Sequence, residues 1–142
     1  MPDVPVVGGT RRAFWAQAHT DHVQLVWRRW TTPETWGMWD RGLRSATLDG
    51  DFVAGATGRL VDTAGRTSRF VVAEVDGQAR RCVVDVPLPG AVLRLTRTLQ
   101  DDVARHEVTF TGPAGPVFAL LLGGRFRRRI GPTLSAVTQP HV

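Results

Sequence analysis

Cysteine occurs once in this chain, at Cys82, so no intrachain disulfide forms and a single copy cannot assemble a thiolate metal cluster. Redox chemistry therefore has little support. Lysine is missing altogether, and all 18 basic residues are arginine, the bias expected of a GC-rich coding sequence. Glycine and proline, 15 and 9 residues, stay below low-complexity levels, which excludes disorder across the whole chain. No apolar run approaches the roughly 20 residues needed to span a bilayer. The longest, Val117 to Leu122, stops at Gly123-Gly124, which excludes a transmembrane helix. At the start, the basic pair Arg11-Arg12 follows the apolar residues, the reverse of a secretory signal, and cytoplasmic residence is the expectation.

What is present is globular: 142 residues, 42% hydrophobic and 22% charged, enough for one core. The net charge of +5 is concentrated, because Arg125, Arg127, Arg128 and Arg129 account for all but +1 of it. Residues 1–10, rich in Pro and Gly without periodicity, read as a loose arm, and residues 11–139 as one domain. Ala13 to His19 has strand length and aromatic content. Asp21 offers an N-cap with Gln24 three positions on, ahead of Val23, Val26, Trp27 and Trp30 at helical spacing. A second short helix starts at Thr31-Thr32-Pro33-Glu34 and ends near Asp40. Trp15 and Trp27 are assigned to packing of the first helix on the first strand.

Beyond Gly42 the pattern changes to strands: 43–48, 56–62, 68–75, 80–88, 91–100 and 103–111, separated by turn residues such as Asp76-Gly77, Pro89-Gly90 and Asp101-Asp102. From Pro116 to Val137 the pattern is helical again, with Phe118, Leu121, Leu122, Phe126, Ile130, Leu134 and Val137 on one side. Gly131-Pro132 is expected to kink or interrupt that helix. The order predicts an α+β fold: a curved antiparallel sheet of about seven strands wrapped around a long C-terminal helix, with two short helices after the first strand.

Several segments resemble a known family. Val26-Trp27, Trp36 and Trp39-Asp40 are similar to the opening of the SRPBCC, or START-like (Bet v 1-like), superfamily. Leu88-Pro89-Gly90, Leu93 to Leu99 and Val108 to Pro113 resemble strands of its polyketide cyclase/dehydrase-like branch. One departure is Thr20-Asp21-His22, which stands where the family usually has a proline before the first helix. The resemblance covers Phe14 to Val137 and implies a helix-grip fold with a ligand cavity; a bacterial source is a separate expectation. It implies no single reaction, since the superfamily includes cyclases, dehydratases and carriers.

If Asp101-Asp102 and Pro89-Gly90 each close a two-residue loop, three layers line the inner face: Phe110, Leu93, Val86; then Val108, Leu95, Val84; then His106, Arg97, Cys82. The last is polar. An arginine aimed into an apolar interior needs an acceptor, and His106 titrates near neutrality when unperturbed. These two are the candidate catalytic residues, Arg97 polarising a carbonyl and His106 shuttling a proton. The alternative is structural: Arg97 reaches solvent or pairs an acid such as Glu74, with His106 hydrogen-bonded beside it. Trp36, Trp39, Phe52, Phe70, Val72, Phe118, Leu121 and Leu122 complete the candidate cavity.

His19, Asp21 and His22 straddle a strand-to-helix junction and read as caps and surface residues, so no metal is expected. No nucleophile elbow or phosphate loop occurs, and no cofactor is expected. Arg125 to Arg129 reads as the charged outer face of the last helix, with peripheral membrane contact as the minor alternative and no nucleic acid as partner. The expected partner is a hydrophobic small molecule or polyketide-like substrate, handled by a monomer or homodimer. Two functions stay open: a cofactor-independent cyclase or dehydratase using acid–base catalysis, and a non-catalytic carrier or sensor of lipid or aromatic metabolites.

Overall fold

Alternating apolar residues and short turns fold most of the chain into one sheet, seen in a computed structural model that describes residues 4–140. The strands are β1 (Val6–Gly9), β2 (Ala13–His19), β3 (Leu43–Leu48), β4 (Thr57–Asp62), β5 (Thr67–Asp76), β6 (Arg81–Leu88), β7 (Ala91–Gln100) and β8 (Val103–Thr111). The helices are α1 (Val23–Trp30), α2 (Trp36–Trp39), entered through a 3-10 turn at Pro33–Thr35, and α3 (Gly115–Thr138). Spatial order is β1-β2-β8-β7-β6-β5-β4-β3, with every neighbouring pair antiparallel. Thus α1 and α2 carry the chain from β2 to the far edge, and α3 returns across the inner face against β2, β8 and β7. Bulges at Arg44 and Ala73 bend the sheet around it. No helix among the described residues is long and apolar enough to cross a membrane.

The central register follows from two tight turns. Gly90 and Asp101 adopt positive φ, 71° and 55°, which lets two residues reverse each hairpin. Cys82 then lies opposite Arg97, Val84 opposite Leu95 and Val86 opposite Leu93, while Arg97 lies opposite His106, Leu95 opposite Val108 and Leu93 opposite Phe110. On β2 the same period buries Phe14, Ala16 and Ala18.

Four details differ from the sequence expectations. Within the expected loose arm, Val6–Gly9 form β1, because the open edge of β2 offers unpaired backbone groups and this pairing needs no apolar period. Trp15 lies on the convex face rather than under α1, since Phe14 and Ala16 take the inward positions; its ring covers Gly8, where a Cβ would stand 2.5 Å from it. The start of α1 uses His22 rather than Asp21, without a side-chain cap, and Thr20 Oγ1 instead accepts the His22 N–H at 3.0 Å. Pro132 does not interrupt α3, which runs unbroken over 24 residues.

The far end of α3 is held by side chains from elsewhere. Arg29 of α1 donates to the carbonyls of Val137 (2.9 Å), Gln139 and Pro140 (3.2 Å), and Thr20 Oγ1 donates to that of Thr138 (3.2 Å). Those carbonyls have no partner within the helix, so the guanidinium acts as its C-cap. Replacing Arg29 by Ala is expected to cost about 1–2 kcal/mol, the worth of charge-assisted hydrogen bonds that are partly wet. A lower urea midpoint with unchanged slope would show it, and an unchanged midpoint would refute the clamp.

Candidate functional site

The β6-β7-β8 ladder puts Cys82, Arg97 and His106 side by side, and α2 closes over them. Arg97 is 1% exposed, and its guanidinium carbon sits 4.7 Å from the Trp36 ring centroid and 5.2 Å from that of Trp39. It neither reaches solvent nor pairs Glu74. The bulge at Ala73 turns Glu74 outward, where it binds Arg81 at 3.3 Å. Nε and Nη1 of Arg97 find no hydrogen-bond partner among the described residues, and neither does Nε2 of His106, which is 5% exposed.

Beside this layer, sheet and α3 do not close completely. A cavity of about 90 Å³ is lined by Leu43, Leu93, Leu95, His106 and Val108 from the sheet, Asp40 and Gly42 from the α2–β3 connection, and Phe126, Arg129, Ile130 and Thr133 from α3. It shares Gly42, Leu43, Leu93, Phe126 and Arg129 with a cleft of about 390 Å³, which adds Val86, Leu88, Leu122, Arg125 and the β4–β5 turn around Asp62 and Arg66.

Of the predicted cavity residues, Leu93, Leu95, Val108 and His106 line the inner space, and Val86 and Leu122 the cleft. Trp36, Phe52 and Phe70 instead pack together as core, with the Phe52 and Phe70 ring centroids 6.4 and 5.1 Å from that of Trp36. Val72, Cys82, Val84, Phe110 and Phe118 belong to the same core, and Trp39 roofs Arg97. Leu121 is a correction: it is 67% exposed. The helix approaches the sheet through Gly115, Ala119 and Gly123, so Leu121 falls on the opposite side. A Cβ on Gly123 would stand 2.6 Å from the Arg11 carbonyl oxygen.

Asp40 and Arg129 were not singled out for this site. Asp40 ends α2, where its Oδ1 accepts the Gly42 N–H at 2.9 Å. Arg129 is not on the exposed face with Arg128; it turns inward across Phe126, 5.0 Å from the ring, and against Gly42. A Cβ on Gly42 would stand 2.3 Å from Arg129 Nη1, so a side chain there would make the guanidinium shift. His19, set aside as a metal ligand, lies 2.8 Å from Asp102.

Burial dominates the electrostatics. It pushes the His106 imidazole well below its usual value of 6.5, and the Arg97 charge pushes it further, so the ring is neutral at pH 7. The Cys82 thiol is pushed up to about 11 by burial against the pull of Arg97, which removes it as a nucleophile. Burial also raises the Asp40 carboxyl, opposed by its Gly42 hydrogen bond and by Arg97 and Arg129.

No protein-family model matches the chain, and no curated protein does. Solved structures do. A protein from Arthrobacter aurescens superposes with a TM-score of 0.66 at 16% identity, over 95% of this chain and 90% of that one. Major latex-like protein 151 from Panax ginseng gives 0.58 at 10% identity, over 95% and 99%. Norcoclaurine synthase from Thalictrum flavum gives 0.57 at 12%, over 100% and 98%. That enzyme is also known in complex with dopamine and hydroxybenzaldehyde. The likeness establishes the fold.

Because the folded protein keeps His106 neutral while the unfolded chain protonates it below about pH 6.5, the unfolded state binds more protons as pH falls. The stability His106 contributes is complete above pH 6.5 and lost below it, by at most about 1.4 kcal/mol per pH unit. Asp40 acts in the opposite sense, its contribution being complete below its ordinary value of 3.8 and lost as pH rises. The difference between wild type and His106→Gln isolates the histidine. Denaturation between pH 7.5 and 5 should give a shallower loss for the variant; parallel curves would contradict a buried neutral ring.

Proposed function

We propose that this chain, which has the Bet v 1-like helix-grip fold, holds an apolar small molecule between the sheet and α3, as one ligand-binding domain spanning residues 11–139. The observation that carries this reading is a largely apolar cavity with His106 in its lining, whose Nε2 is buried and finds no partner among the described residues. Apolar walls with a few convergent polar groups are the usual composition of a small-molecule site.

In the enzyme form the protein is a cofactor-independent cyclase or dehydratase acting on an enolisable, polyketide-like substrate. His106 Nε2 takes the proton from a carbon next to a carbonyl, the C–H electron pair moves to the carbonyl oxygen, and the Arg129 charge lining the cavity stabilises the enolate. Loss of a β-hydroxyl as water, or attack on a second carbonyl, then completes dehydration or cyclisation, with the imidazolium returning its proton. Arg97 does not line the cavity. It serves as a positioning residue beside His106. The walls fold the substrate and keep bulk water away.

A specific observation favours the second reading, a non-catalytic carrier or sensor: burial and Arg97 make His106 a weak base. In that form its imidazole only orients the guest by hydrogen bonding. Native mass spectrometry of protein purified from its own host is expected to show a retained small molecule. Apo mass alone, together with no uptake of apolar ligands, would overturn both forms. With the substrate so identified, His106→Ala is expected to lower turnover about a hundredfold or more, and Arg97→Ala less. Turnover within a few-fold of wild type in both variants would leave only the carrier.

A further inference from the structure

Resting on that reading, we infer that the guest is an organic acid: an apolar body bearing one carboxylate or phenolate oxygen, which docks between Arg129 and His106. The first ground is the sign of the charge. Arg129 lines the cavity and Arg97 lies behind it, whereas the acid facing the same space is Asp40. In the adjoining cleft Asp62 is already engaged by Arg66, Nε to Oδ2 at 3.0 Å, and by the N–H groups of Ala64 and Arg66. Arg125 adds another cation to the cleft. Positive charge is therefore in excess along the whole path.

The second ground is an unmet donor. Arg129 lines the cavity, its Nε is buried, and the described residues supply no partner for it. A buried guanidinium without an acceptor is costly, while a charge-assisted bond to an oxygen anion is about twice as strong as a neutral one. Asp40 does not meet this need, because its Oδ1 is held by the Gly42 N–H and no ion pair to either arginine forms within 4 Å. The third ground is construction. Arg129 lies inward across the Phe126 ring, in the space that the missing side chain of Gly42 leaves.

The test compares two probes of one shape, 2-naphthoate and 2-naphthamide, titrated into the wild-type protein by calorimetry at pH 7.5. The acid is expected to bind at least about tenfold more tightly than the amide, in keeping with a charge-assisted contact. In Arg129→Gln the acid-to-amide ratio should fall towards one. Equal binding of the two probes to wild type, or an unchanged ratio in the variant, overturns the anion assignment while leaving the cavity reading standing. Binding of neither probe at millimolar concentration overturns both. The wild-type comparison needs no variant, so it decides even if Arg129→Gln does not fold.

Discussion

Two turns of two residues each, Pro89-Gly90 and Asp101-Asp102, hold β6, β7 and β8 in a register that every later feature depends on. In an antiparallel ladder a slip of one residue sends each side chain to the other face. The register found aims Arg97 and His106 at α2 and α3 and leaves Arg94, paired with Asp85 at 2.8 Å, on the solvent side. A one-residue shift in β7 would turn the charged Arg94 against the helix instead, away from Asp85.

Burying Arg97 is expensive. Removing a cation from water costs several kcal/mol even after relaxation. Each desolvated ring face returns about 2 kcal/mol or more, so Trp36 and Trp39 offset a substantial part of the cost. Asp40 contributes through its field without forming a close ion pair. The protein therefore carries a dry, positively biased layer whose donors are incompletely matched, next to an apolar cavity. The same layer keeps the neighbouring imidazole uncharged. Charge held at a site and water kept out are the two conditions under which polar contacts to a guest become strong.

Much of this was legible in the sequence, for reasons that also explain the failures. Strict alternation from Cys82 to Phe110, broken only by turn residues, fixes the three layers, and the tryptophans before Asp40 mark the elements that cover them. The contact face of α3 was not legible: its first half is apolar on both sides, and the side that packs is marked by small residues rather than by Leu121. Arg129 was hidden within a run of arginines, and it turns inward beside Gly42, distant in the chain. Asp40 reads as a helix end. The orientation of Glu74 rests on a bulge at Ala73, which has no sequence signature. Trp15 followed the strand period faithfully, but to the outer face.

The central claim is that the space between sheet and α3 receives a guest. Methyl NMR of the protein titrated with 2-naphthoate tests it directly. The methyl signals of Leu93, Leu95, Val108 and Ile130 should shift together and saturate, while those of Val117, Leu120 and Leu121 on the outer face of α3 stay in place. Shifts confined to the outer leucines, or none at all, would contradict an interior site.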